Sequence, residues 1–147
     1  MFIIGTIIVG RQIHFIMNKD LGFTKDAIIT LQTSYDYPPE KREVLAEKIR
    51  QLAGVQMVSI HLETPAAKGH PGTFISYMGK EEKKVEASFD MCDVNYVPLF
   101  GLKIIAGRNG LPADAIGEFL ENETCARALG FYKPEEAIGK TVNIGMN

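Results

Sequence analysis

Cysteine is scarce in this sequence of 147 residues: there are two, Cys92 and Cys125, too few for a disulfide framework. The pair can bond across space in an oxidising compartment, or each can pack as a small hydrophobe, which is the ordinary role of an isolated thiol. No CxxC or HExxH occurs, and His14, His61 and His70 show no zinc-ligand spacing, so no metal site is expected. A basic stripe is missing too. Lys+Arg total 16 against 18 Asp+Glu, a net charge of −2 with no Arg-rich run, which argues against a nucleic-acid partner. Gly139-Lys140-Thr141 looks like the end of a phosphate-binding loop, but Pro134 stands where that motif needs its first glycine. There is no internal repeat and no low-complexity segment. With 46% hydrophobic and 23% charged residues the composition is that of a folded globular chain, long enough for one domain with its own core.

What is present begins at residue 1. "MFIIGTIIV" is apolar throughout. As a helix it spans about 14 Å, roughly half a bilayer core. No basic region precedes it and no small-residue cleavage site follows, so it does not fit a signal peptide. It is either a buried element of a soluble domain or the last turns of a membrane helix. Arg11 and Gln12 mark a polar exit, and Ile13, Ile16 and Met17 keep a helical spacing beyond it, which suits a helix leaving a membrane as an amphipathic stalk. Residues 1–18 are therefore expected to be the end of a membrane helix and its stalk. Asp20-Leu21-Gly22-Phe23 stops the helix, with Gly22 as its C-cap.

Ala27–Thr33 is short, β-branched and apolar, and predicts a strand. Pro38 and Pro39 start a helix with Glu40 in its first turn; Val44, Leu45, Ile49 and Leu52 form its apolar stripe and Gly54 ends it. "VQMVSIHL" follows as a strand, so Ala27 to Leu62 reads as a βαβ unit with a parallel pair. Phe74–Met78 and a long strand through Met91 make a hairpin, with Val85, Ala87, Phe89 and Met91 on one face and a charged tip at Lys80–Lys84. A short helix is capped by Asp93 or Asn95 and closed at Gly101. "LKIIAGR", "GEFLENE" and "KTVNIGM" are expected strands. The fold class is α+β with a mixed sheet.

"LENETCARALGF" places Asn122 as an N-cap, Glu123 in the first turn of a helix, Ala126, Leu129 and Phe131 on its buried side, and Gly130 at its C-cap. Pro134 starts a further helix, with Glu135 and Glu136 in its first turn and Gly139 at its end. Cys125 near a helix N-terminus has the position of an activated thiol, but a cysteine nucleophile needs a histidine with an orienting group, and no such signature is present. No catalytic, cofactor-binding or metal-binding residue is assigned.

Taken together, "RQIHFIMNKDLGF", "DVNYVPLFGLKIIAGR" and "LENETCARALGF" followed by "YKPEEAIGK" resemble, in order and spacing, the periplasmic core domain of MacB/FtsX-type ABC transporter permeases. The resemblance runs from about Ile8 to Gly145 and is weakest from Ser34 to Lys84. It implies a two-lobed extracytoplasmic domain over residues 19–147, facing the periplasm from the inner membrane. It implies a second permease copy and a cytoplasmic ATPase as partners, with an envelope substrate or adaptor beyond. In such a domain the protein transmits motion and catalyses nothing. Gly107, Arg108, Asn122, Glu123, Gly130, Pro134 and Gly139 are then fold-defining. The family runs on past "GKTV" into another strand, so the domain is expected to be incomplete at its C-terminus, and "LAGV" stands where "LPGV" is usual. Exposed faces around Lys80–Lys84 and Pro112–Gly117 are expected to meet a partner subunit or adaptor. Three other expectations compete: an anchored envelope domain binding a lipid or peptide, a hydrolase using Cys125 or the Asp90/Asp93 pair, and a soluble cytoplasmic domain with a buried N-terminal strand.

Overall fold

The computed structural model describes residues 2–19, 22–24, 27–34, 36–79, 81–112 and 117–145. Helix α1, Phe2–Asn18, leaves its apolar side chains uncovered: Ile4, Ile7, Ile8, Val9, Ile13 and Phe15 are between 51% and 67% exposed. Among the described residues it packs extensively on no other element. Among the described residues no helix is long and apolar enough to cross a membrane. Asp20 and Leu21, expected to stop this helix, lie outside the described residues; Gly22 has a φ of 76°.

Helix α2, Pro39–Arg50, starts as its prolines dictate, with Pro38 extended before the first turn and Glu40 within it. Lys48 and Arg50 sit in its last turn, where cations suit the helix dipole. Its inner face is Arg42, Leu45, Ala46 and Ile49, with Ala46 fully buried. Val44 and Leu52, placed on that stripe from sequence, are exposed. The helix ends at Arg50 because Gln51 already leaves the regular hydrogen-bonding pattern; Gly54, at φ 90°, serves the turn beyond and not the cap itself.

Strands β1, Gly72–Met78, and β2, Glu82–Ser88, form the expected hairpin, with Ile75 opposite Val85 and Gly72 opposite Ser88. Strand β3, Asn143–Gly145, joins the other edge of β1, placing Ile144 opposite Ile75. The order is β2-β1-β3 and both pairings are antiparallel. The class is α+β, but the sheet is antiparallel and not mixed. β2 stops at Ser88, short of Met91, and within it Val85 and Ala87 are partly buried while Glu86 and Ser88 are exposed, the alternation read from sequence.

The expected βαβ unit does not form. Ala27–Thr33 carries no strand: Ile29 is 87% and Leu31 64% exposed, and Ala27 sits at φ 61°. In 55–62 the ladder shrinks to one antiparallel bridge, His61 to Cys92. A β-branched sequence states only that the segment fits a pleated, half-buried surface. Here 55–62 finds its partner in 91–93, and 27–33 has none among the described residues. "LKIIAGR" and residues 117–122 of "GEFLENE" are likewise irregular.

Two packing clusters result. In the first, helix α4, Glu123–Leu129, lies against the sheet: Ala126, Leu129 and Phe131 are buried with Ile75, Tyr77, Val85, Ala137 and Val142 around them. Leu129 is only 1% exposed, a burial that stabilises by about 1.5–3 kcal/mol. In the second, helix α3, Tyr96–Leu99, brings Tyr96 and Phe100 against His61 and Phe23. The ring centroids of Tyr96 and Phe100 are 4.9 Å apart, and His61 lies 5.2 Å from Tyr96 in an edge-on arrangement.

Candidate functional site

Most of the fold-defining residues read from sequence lie in or beside α4 and the turn that follows it. Asn122 is extended at the start of α4, and its side-chain oxygen accepts the Cys125 N–H at 2.8 Å. Glu123 is in the first turn and pairs with Arg127 at 3.2 Å. Gly130 closes the helix at φ 100°, where a Cβ would meet the Lys83 side chain at 3.3 Å. The left-handed backbone favours glycine there. Pro134 opens not an α-helix but a 3-10 turn, Pro134–Ala137, held by Glu136, whose carboxylate accepts from the Tyr132 and Lys133 N–H groups. Gly139 follows at φ 72°. Gly107, at φ 80°, comes to this turn from elsewhere in the chain: a Cβ on it would lie 3.8 Å from Ile138. Arg108 turns away and forms a two-pronged ion pair with Glu118, at 2.5 and 3.1 Å. Its guanidinium hydrogen bonds hold Glu118 below the usual carboxylate range.

A second constellation, only partly legible in sequence, joins 58–63 to 90–96. Asp93 accepts three hydrogen bonds: from Ser59 Oγ at 2.6 Å, the Ile60 N–H at 3.0 Å and the Asn95 N–H at 3.1 Å. Asn95 donates to the Val58 carbonyl at 3.0 Å. Asp90 accepts the Glu63 N–H at 3.1 Å. The Asp93 N–H and Leu62 N–H complete the junction with the Ile60 and Met91 carbonyls, each at 2.9 Å. α3 was expected to be capped by Asp93 or Asn95. The Asn95 side chain makes no capping bond, and the Asp93 carboxylate takes the Asn95 N–H instead.

This junction ties the two segments together. Asp93 has its lone pairs committed to backbone and Ser59 donors. Burial, and after it the neighbouring Asp90 charge, pushes the Tyr96 hydroxyl upward and keeps it protonated. Burial and then the two aspartates also raise the Cys92 thiol, the reverse of what a nucleophile needs. Cys125 is raised as well, by burial and by Glu121. Both cysteines are free thiols, and Cys92 is exposed, so it is not the core thiol expected. Among the described residues no cluster of three or more His, Cys, Asp or Glu side chains is placed to hold a metal ion.

Of the two expected partner faces, Glu81–Lys84 is an exposed tip that includes the start of β2. Lys80 and 113–116 lie outside the described residues, while Leu111, Pro112 and Gly117 are exposed. Lys84 is not simply solvated: its ammonium lies 4.6 Å above the Phe74 ring. A concave surface that sequence did not single out runs along α1, lined by Ile7, Gly10, Arg11, His14, Phe15 and Lys19. Comparison of the chain with family models, with curated proteins and with solved structures returns no match.

Proposed function

We propose that this chain is the extracytoplasmic part of a MacB/FtsX-type ABC permease, passing ATPase-driven motion across the inner membrane to an envelope substrate or partner. The observation that carries the proposal is α1. A 17-residue helix on which Ile4, Ile7, Ile8, Val9, Ile13 and Phe15 are each more than half exposed supports an apolar environment around that helix. The motif order read from sequence supports the choice of this family, and the positive φ of Gly107, Gly130 and Gly139 supports treating those motifs as structural. In this reading the two packing clusters belong to the two lobes, residues 1–18 end the first membrane helix, and the partners are an ATPase and a second permease copy. In this reading the domain catalyses nothing, and Asp93 serves the 58–63/90–96 junction.

The test is topology in cells. The chain is expressed with its natural flanking coding sequence in a Gram-negative host, fractionated, and treated with protease in spheroplasts. Recovery in the inner-membrane fraction, with 27–145 cleaved from outside, is the expected result. A fully soluble cytoplasmic product overturns the proposal. A second reading, an anchored envelope domain capturing a lipid or peptide, predicts the same location but no co-purifying ATPase.

A further inference from the structure

Asn109 is followed by glycine, as no other asparagine in the sequence is. That neighbour matters chemically. The backbone nitrogen after an asparagine can attack the side-chain amide carbon, and a glycine nitrogen has no flanking Cβ to obstruct it. In the fold, three polar groups of Asn109 are held. Its Nδ2 donates to the Val94 carbonyl at 2.7 Å, its Oδ1 accepts the Gly110 N–H at 2.9 Å, and its backbone carbonyl accepts from Arg108 Nη1 at 2.9 Å. Asn109 and Gly110 are both partly buried. Val94 stands between Asp93 and Asn95, so the first of these bonds fastens the Asn109 loop onto the junction of 58–63 with 90–96.

This geometry opposes attack. A donor to a carbonyl oxygen lies near the plane of that amide, whereas a nucleophile must reach the carbon from above the plane. Ring closure therefore needs the Asn109 amide to rotate by about a quarter-turn, which breaks its bonds to Val94 and Gly110 together.

We propose that Asn109-Gly110 is a self-modification site held in check by the Val94 contact, and that its conversion releases that contact irreversibly. When the loop lifts from Val94, the Gly110 nitrogen gives its proton to solvent base and bonds to Asn109 Cγ. The Cγ–Nδ2 bond breaks and the nitrogen leaves as ammonia with a solvent proton, giving a five-membered succinimide. Water then adds to one of the two ring carbonyls and opens the ring to aspartate or isoaspartate. Both products lose the Nδ2 donor, so the Val94 carbonyl loses its partner, and aspartate sets a charged acceptor against it. Isoaspartate also adds a methylene to the path of the main chain.

The full chain is kept at mildly alkaline pH, folded in one sample and unfolded in guanidinium in another. Conversion at each asparagine is followed by proteolysis and fragment-ion mass spectrometry. Asn109 is expected to convert in both samples, about tenfold or more slowly in the folded one, with Asn122, which Glu123 follows, as the slow comparison. Gly110→Ala is expected to bring Asn109 down toward the Asn122 rate in guanidinium, where any effect of the variant on folding is irrelevant. Asn109→Asp, the first of the two products, is expected to unfold at lower urea than the natural chain. Equal rates in the folded and unfolded samples overturn the restraint. A rate at Asn109 no faster than at Asn122 in guanidinium overturns the site, and a natural urea midpoint in Asn109→Asp overturns the release.

Discussion

The Asp93 carboxylate and the Ser59 hydroxyl meet at 2.6 Å, although they stand 34 positions apart in the chain. Two backbone N–H groups share the same carboxylate, so one side chain fastens 58–62 to 91–95 in place of a longer ladder. Asp93→Ala leaves three donors without their acceptor and is expected to cost about 2–4 kcal/mol. Asp93→Asn keeps one oxygen but turns an amide toward either Ile60 N–H or the other two donors, and is expected to fall about midway. Urea-unfolding midpoints measure both; equal stability of Asp93→Ala and the natural chain would remove the junction from the structural account.

Asn122 caps α4 through the Cys125 N–H alone. Asn122→Ala is expected to lower stability by about 1 kcal/mol, and Asn122→Ser to recover most of it. Thermal denaturation of the three proteins side by side decides the matter, and a serine variant as weak as alanine would argue against capping.

Gly130 combines a φ of 100° with a 3.3 Å approach to Lys83. Gly130→Ala is expected to destabilise by about 1–2 kcal/mol. Gly69, which has open space at its Cβ position and no positive φ, is the comparison: Gly69→Ala is expected to be neutral or slightly stabilising. Similar midpoints for the two variants would mean that the left-handed cap is not under strain.

Glu118 titrates below its ordinary value because Arg108 hydrogen-bonds its charged form. A carboxyl depressed in the folded state stabilises above its unfolded pKa, and that contribution disappears as pH falls through the folded one. Here the window lies below the ordinary glutamate range, and because both side chains are exposed the effect on stability is small. The sensitive readout is the carboxyl carbon shift in an NMR titration. Arg108→Gln is expected to move the Glu118 midpoint upward, whereas an unchanged midpoint would show that the pair does not persist in solution.

Local chemistry was readable where one turn of chain decides the outcome. Asn122 before Glu123 and Gly130 after Leu129 bound a helix by what their own side chains and dihedrals permit, and the hairpin's Val85/Ala87 alternation needs only an adjacent strand. Segments that need a distant partner were misread. Ile29 and Leu31 have strand character, but nothing within the sequence of 27–33 specifies what it pairs with. The role of Asp93 was equally hidden, because its donors come from Ser59 and Ile60, far upstream, and no spacing rule links them. Among the fold-defining residues, glycine conformations were legible and contacts were not: the approach of Gly107 to Ile138 appears only in three dimensions.

Thr73, buried in β1, donates its hydroxyl to the Gly145 carbonyl at 2.6 Å across 72 residues. During synthesis β1 and β2 emerge together, but the inner edge of β1 has no partner until residue 145 has been made. Ile75 and Tyr77, whose cluster also needs Val142, wait for the same moment. The hairpin is thus a platform that stays open on one flank while residues 89–142 are made, and a ribosome stalled before Val142 would hold a chain with a bare strand edge and a half-built core.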